Sequence, residues 1–276
     1  MSQKTNSTLH RIKTSSCWKS LYKECHKNEI SYYYNQDLQI KEFVEKIFNR
    51  CNFVLCDLKL KRARDKLELS ITYYKKSPSF KNTRKSDTLP IDYEHISYTH
   101  RDFLKNLTES LMIALPVNRE TNIFFQCINK LPTQFIYNRK HRRIFQAILF
   151  SLRRYSKDPG FSEFINVLMV LVSKKCSAAT FSKIIAQKLT NSKSHNKLFT
   201  FWRQALAISL ESTLAKIKGV KLVIKGRING RPRAKVIKIC AGSVPNQTLF
   251  TNIDYSESVS FTKNGTFGVN VSICTG

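Results

Sequence analysis

Apolar positions along this chain switch between helical and strand spacing, and the switches mark out its elements. In DLQIKEFVEKIFNRC, beginning at Asp37, the residues Ile40, Phe43, Val44, Ile47, Phe48 and Cys51 recur at i, i+3, i+4, i+7, i+8 and i+11, one face of a helix. Asp37 suits the N-terminal end of that helix, as a cap or beside its dipole. FVLCDLKL and LELSITYY follow with alternating apolar positions, and Leu67, Leu69, Ile71 and Tyr73 share one face of the second run. The short polar link KRARDK between them predicts a hairpin with a basic tip.

From about residue 75 to 136 the periodicity weakens. KKSPSFKNTRKSDTLP reads as linker, followed by one short helical pattern, HRDFLKNLTESLMIALP, and a segment around Ile123, Phe124 and Phe125. This region is expected to be a surface insertion. Helical spacing returns at RKHRRIFQAILFSLRRYSKDPG, where Ile144, Phe145, Ile148, Leu149 and Leu152 form one face and Asp158-Pro159-Gly160 is a stop signal. FINVLMVLV, from Phe164 to Val172, has strand length. Two helices are expected next, from Ala178 to Leu189 and from Phe199 to Ile217. The rest reads as four strands: VKLVIKGRI, RAKVIKICA, TNIDYSESVSFT and TFGVNVSIC. Asn229-Gly230 and Asn264-Gly265 tolerate positive φ and predict tight turns among them.

Composition adds a partner class. The chain has 276 residues, with 47 Lys and Arg against 19 Asp and Glu, a net charge of +28 and 42% hydrophobic residues. It is therefore long enough and apolar enough to fold, and its self-repulsion calls for a polyanion, RNA or DNA before an anionic membrane. Between Phe164 and Asn252 there are 16 Lys and Arg and a single acid, Glu211, so the charge is concentrated in the C-terminal half. No apolar run approaches the ~20 residues that span a bilayer. Eight cysteines show no CxxC pair, and the one His-x4-His spacing, His95 to His100, has no cysteine beside it; Cys17 with Cys25-His26 is the nearest approach to a metal half-site, so no metal or cofactor is expected. The absence of HExxH, GxxxxGK[ST] and Ser/His/Asp patterns argues against an enzyme. The start, MSQKTNSTLHRIK, lacks a secretory apolar region and an Arg-rich amphipathic presequence, and is expected to be already mature.

The C-terminal strands carry a more specific signal. Lys225-Gly226-Arg227-Ile228-Asn229-Gly230 resembles the Ser-Gly-Arg-Leu-Gly-Gly turn of the small-subunit ribosomal protein three family. Gly242-Ser243-Val244-Pro245, Thr248-Leu249, Ile253-Asp254-Tyr255 and Gly265-Thr266-Phe267-Gly268-Val269-Asn270-Val271 follow with that family's spacing. Ser2-Gln3-Lys4, Asn6 and Arg11 resemble its opening. The resemblance covers roughly residues 1–75 and 138–276. It implies an α+β fold: a basic arm (1–36), a degenerate type II KH-like domain (37–176, with the insertion at about 75–136), and a C-terminal domain (177–276) of two helices packed on a four-stranded, mostly antiparallel sheet. The chain has no glycine before Gly160, so the GxxG loop of a KH domain is missing and Asn138-Arg139-Lys140-His141 stands in its place.

The same resemblance implies a structural constituent of the small-subunit head in an organellar ribosome, mitochondrial in preference to plastid. Its partners would be small-subunit rRNA, neighbouring head proteins and mRNA, with no membrane and no homo-oligomer. Expected rRNA contacts are Lys4, Arg11, Lys61, Arg62, Arg64, Arg139, Lys140, Arg142, Arg143, Arg227, Arg231, Arg233, Lys235 and Lys238. Lys197 and Arg203 remain of the basic helix face where messenger enters, diluted by Phe201, Trp202, Leu206 and Ile208. A free RNA-binding regulator using the same basic sheet is the alternative.

Overall fold

The computed structural model describes residues 6–12, 18–22, 29–51, 53–63, 66–75, 100–114, 120–128, 139–156, 161–173, 176–192, 195–231 and 233–275. Cys17, Cys25, His26, Asn138 and Asp158-Pro159-Gly160, together with the linker from Ser77 to Pro90, fall outside these.

The first helix, α1 (Glu29–Arg50), begins eight residues before the expected start at Asp37. Tyr33, Asp37, Ile40, Val44 and Phe48 are its buried line, so Asp37 sits mid-helix on the core side and caps nothing. What holds it there is Arg62, whose guanidinium bonds the Asp37 carboxylate directly. The hairpin follows as expected: β2 (Phe53–Arg62) and β3 (Lys66–Lys75) pair antiparallel. A bulge between Leu55 and Asp57 inserts one residue and flips the alternation, so Phe53 and Leu55 share a face with Leu58 and Leu60. Val54 and Cys56 point the other way, into a second core.

The expected insertion is partly structural. Helix α2 (His100–Ala114) seats Leu107 and Leu111 against α1 and the hairpin. Strand β4 (Glu120–Cys127) pairs parallel to β3, and β1 (Ser20–Leu21) pairs parallel to β2, giving a mixed sheet in the order β1-β2-β3-β4. The described parts of this region, 100–114 and 120–128, are therefore built into this layer and are no surface excursion.

The larger core lies C-terminal. Helices α3 (Arg139–Ser151), α4 (Phe161–Val172), α5 (Ala178–Asn191) and α6 (His195–Glu211) pack with a sheet of β5 (Ile217–Gly226), β6 (Lys235–Gly242), β7 (Asn252–Thr262) and β8 (Gly265–Thr275). The sheet is antiparallel throughout, in the order β6-β5-β8-β7. Helix α5 lies against β7 and β8, and α6 against β5 and β6. The second of these helices ends at Glu211, short of the expected Ile217, which begins β5.

The strand expected at Phe164–Val172 is helix α4. All its residues from Phe164 on are buried except Asn166, and an element apolar on nearly every side is a core helix as readily as a core strand. It packs on α6, with Phe164 stacked on Trp202 at 5.7 Å, so α3 and α4 share the core of the C-terminal sheet.

Both Asn-Gly signals mark turns, but neither places Asn and Gly at the two central positions of a two-residue hairpin. Asn229 (φ 52°) and Gly230 (φ 73°) are left-handed, but inside a longer connection, since β5 and β6 close at the pair Gly226 and Lys235. In the β7–β8 turn the central residues are Lys263 and Asn264, and the positive φ falls on Gly265.

Candidate nucleic-acid interface

The connection between β5 and β6 is built for presentation. Gly226 precedes it because a Cβ there would meet Phe267 Cδ1 at 2.6 Å and Thr266 O at 2.8 Å. Ile228 is buried and anchors the loop to the core. Asn229 Oδ1 accepts from the His195 backbone N–H at 3.1 Å and lies 3.0 Å from His195 Nδ1, tying the loop to the first residue of α6. Arg227 donates from Nε to Arg231 O (2.8 Å) and from Nη2 to Gly230 O (3.2 Å), closing the turn with part of its guanidinium. Arg231, Arg233, Lys235 and Lys238 are exposed, and none has an ion-pair partner among the described residues. Lys221 and Lys225 on β5 share the outward face with Lys238, since Val223 pairs Lys238. Strand alternation in VKLVIKGRI would have singled them out.

That face becomes polar towards β7. Asn270 donates to Tyr255 Oη at 2.8 Å and to Glu257 Oε1 at 2.9 Å, and Tyr255 donates to Glu257. Burial, with the neighbouring Glu257, pushes the Tyr255 phenol up to about 12. On the inward face Asp254 accepts from the Ala178 N–H at 2.7 Å, at the start of α5. Desolvation nevertheless raises its carboxyl above the ordinary range.

A second cationic surface is α3. Arg139, Lys140, Arg142 and Arg143 are exposed, and Arg153 and Arg154, just past its end, extend the surface. The sequence signal for those two is the absence of any acidic residue from Arg139 to Ser156. On α6, Lys197 and Arg203 are exposed among Asn196, Thr200 and Gln204. Phe201, Trp202 and Leu206 are buried and Ile208 is half-buried, so these residues belong to the core side of the helix and do not dilute its outer face.

Other expected contacts point elsewhere. Arg62 is buried, bonded to Asp37 and to Gln36 Oε1 (2.7 Å), with its guanidinium 5.0 Å from the Tyr33 ring centre. It is a structural cation, because a desolvated guanidinium needs these partners in place of water. Arg11 is buried too, donating to Ser7 O (2.8 Å), Asn246 O (2.7 Å) and Thr248 O (2.9 Å). At the hairpin tip Lys61 lies 3.9 Å from Glu68, and Lys66 lies 3.4 Å from Glu120. The chain thus matches Lys61, Arg62 and Lys66 with its own acids, and leaves Lys59 exposed with no ion pair among the described residues. Lys4 and Arg64 lie outside the described residues.

Among the described residues no group of His, Cys, Asp or Glu could hold a metal ion, and no helix is long and apolar enough to cross a membrane. Burial pushes the Cys56 thiol up to about 12 and raises that of Cys176, so both stay protonated and unreactive at neutral pH.

What these surfaces can do is neutralise phosphates: two clusters of Arg and Lys that have no ion-pair partner among the described residues. The family model described as ribosomal protein S3, C-terminal domain, matches residues 185–273, which contain α6, strands β5 to β7, β8 as far as Ile273 and the Arg227–Lys235 connection. The small ribosomal subunit protein uS3 of Borrelia duttonii is 32% identical over 117 residues, 42% of this chain and 40% of that protein. Its counterpart in Parabacteroides distasonis is 37% identical over 76 residues, 27% of this chain and 31% of that one. The uS3c protein of Chlamydomonas moewusii is 34% identical over 97 residues, 34% of this chain and 12% of the relative. The matched part of the chain thus spans well under half the length of these relatives. Through residues 185–273, which carry the basic connection, the chain is similar to the ribosomal protein S3 family.

Proposed function

We propose that this protein is a structural constituent of the small ribosomal subunit, holding rRNA in the subunit head through its basic surfaces and lying near the site where mRNA enters. The observation that carries the reading is the β5–β6 connection: Arg231, Arg233, Lys235 and Lys238 stand exposed and unmatched within the region that matches the S3 domain. Such contacts release counterions and fix RNA position without reading sequence. The N-terminal layer, where α1 precedes the β2–β3 hairpin, supports a degenerate KH-like domain without a backbone clamp. With Lys197 and Arg203 as the only cations on the outer face of α6, the messenger contact is a minor one. We assign the protein to an organellar ribosome, the mitochondrial one, with head proteins as its neighbours; the uS3c relative keeps a plastid ribosome as the competing compartment.

Replacing Arg231, Arg233 and Lys235 together by Gln tests the reading. The slope of log affinity against log salt for a small-subunit rRNA fragment should become shallower by roughly 2 to 3 units if each residue neutralises one phosphate. An unchanged slope sinks the assignment. Sedimentation of tagged protein with small subunits through a high-salt wash supports the ribosomal role, and a wholly free pool supports the regulator instead. Fractionation of the organelles settles the compartment.

A further inference from the structure

One surface asks for more than phosphate. On α3 the residues Arg139, Arg143, Gln146 and Phe150 recur at +4, +3 and +4, a single line down the helix. That line lies opposite the anchoring residues Ile148 (5% exposed) and Leu152 (0%), so it is the meridian farthest from the core. Phe150 is 76% exposed there. Its nearest neighbours along the line are Gln146 and, beyond it, Arg143, so among the described residues of that line the ring stands beside polar and cationic side chains. Arg142 and Lys140 flank the line, and Arg153 and Arg154 continue it past the end of the helix. From Arg139 to Ser156 there is no acidic residue, and none of the six Arg and Lys has an ion-pair partner among the described residues. The first turn of α3 holds Arg139, Lys140, Arg142 and no acid, an arrangement that opposes the helix dipole until an anion arrives.

Resting on the proposed RNA-binding role, we propose that this face of α3 is a single-stranded RNA site, in which Arg139, Arg143, Arg153 and Arg154 follow the phosphates and Phe150 stacks on an unpaired base. The charge selects a polyanion, and the ring selects among polyanions. Arginines alone would serve a duplex equally well, whereas a phenyl ring gains only from a base that is splayed out of its helix. The line from Arg139 to Phe150 extends about 17 Å at the helical rise, enough for a short run of nucleotides.

The test uses the full chain, a fluorescently labelled oligouridine, an RNA duplex and an rRNA fragment, with binding read by anisotropy across a salt series. Phe150→Ala should weaken oligouridine binding about tenfold at an unchanged salt slope, leave duplex binding as it was, and leave Tm unaltered because the ring is outside the core. Phe150→Trp should restore the affinity and show quenching when the oligonucleotide binds. Arg139→Gln with Arg143→Gln should make the salt slope shallower by about 1.4. If Phe150→Ala binds oligouridine as tightly as the parent while the rRNA fragment still binds, the α3 site is overturned, the face is left for a protein neighbour, and the ribosomal reading stands. If the parent protein binds none of the three RNAs, both are overturned.

Discussion

Asn229 Oδ1 and the backbone N–H of His195 are joined by a 3.1 Å hydrogen bond, so a left-handed residue in the basic connection supplies the acceptor that the first turn of α6 needs. The His195 ring, buried and 5.1 Å from Phe267 between ring centres, fixes the other side of the contact. Asn suits the place on both counts, since it tolerates positive φ and carries a side-chain oxygen.

Separating those two properties gives a prediction. Asn229→Gly keeps the backbone and loses the acceptor, and should cost about 1 kcal/mol or less. Asn229→Ala loses both, and should cost about 2 kcal/mol with some loss of RNA affinity as Arg231 and Arg233 lose their aim. Chemical denaturation measures the order; equal costs for the two variants would remove the backbone part of the argument.

The buried pair of Arg62 and Asp37 predicts a change in stability without a change in binding. Arg62→Met leaves a carboxylate that is 10% exposed facing an apolar side chain, and should cost ~3–5 kcal/mol. Adding Asp37→Leu should recover most of that loss. The salt slope for rRNA should be the same in the double variant as in the parent, and a shallower slope would return Arg62 to the RNA surface.

Asp254 predicts a pH dependence. Desolvation raises its folded pKa and the Ala178 N–H only partly offsets this, so just above the ordinary carboxylate range the folded chain holds a proton that the unfolded chain has released. Its contribution to stability is therefore present at low pH and lost as pH rises through the folded value. Asp254→Asn should leave stability little changed at low pH and gain on the parent as pH rises towards neutrality. Urea melts across that range check the sign; a parent that gains on the variant with rising pH refutes it.

Leu111 tests whether the segment around α2 is integral. It is 1% exposed in the core that α2 shares with α1 and the hairpin, so Leu111→Ala should cost ~2–5 kcal/mol. A neutral outcome in denaturation would mean that residues 100–128 fold apart from that core.

Much of this was legible from spacing alone. The apolar line of α1, the β2–β3 hairpin, the two helices before the last sheet and all four of its strands follow from period and turn residues, because each buries one face. Helix α4 was not legible, since a run buried on nearly every side loses the period that would tell helix from strand. Strand β4 was hidden by its parallel pairing to β3 across a long connection, which leaves no hairpin signal. The candidate interface divides in the same way. Arg231 and Arg233 stand out because no acid is near in sequence, whereas the acid that claims Arg62 lies 25 residues away on another element.

The seat of Arg11 has a consequence for how the chain is made. Its two acceptors in the loop before β7 lie 235 and 237 residues downstream. The buried guanidinium thus finds both carbonyls only after the stretch up to Thr248 has been made. Until then it must remain solvated, and any product that stops short of Asn246 lacks this closure however well its helices have formed. The contact joins two parts of the chain far apart in sequence and closes only when both are present.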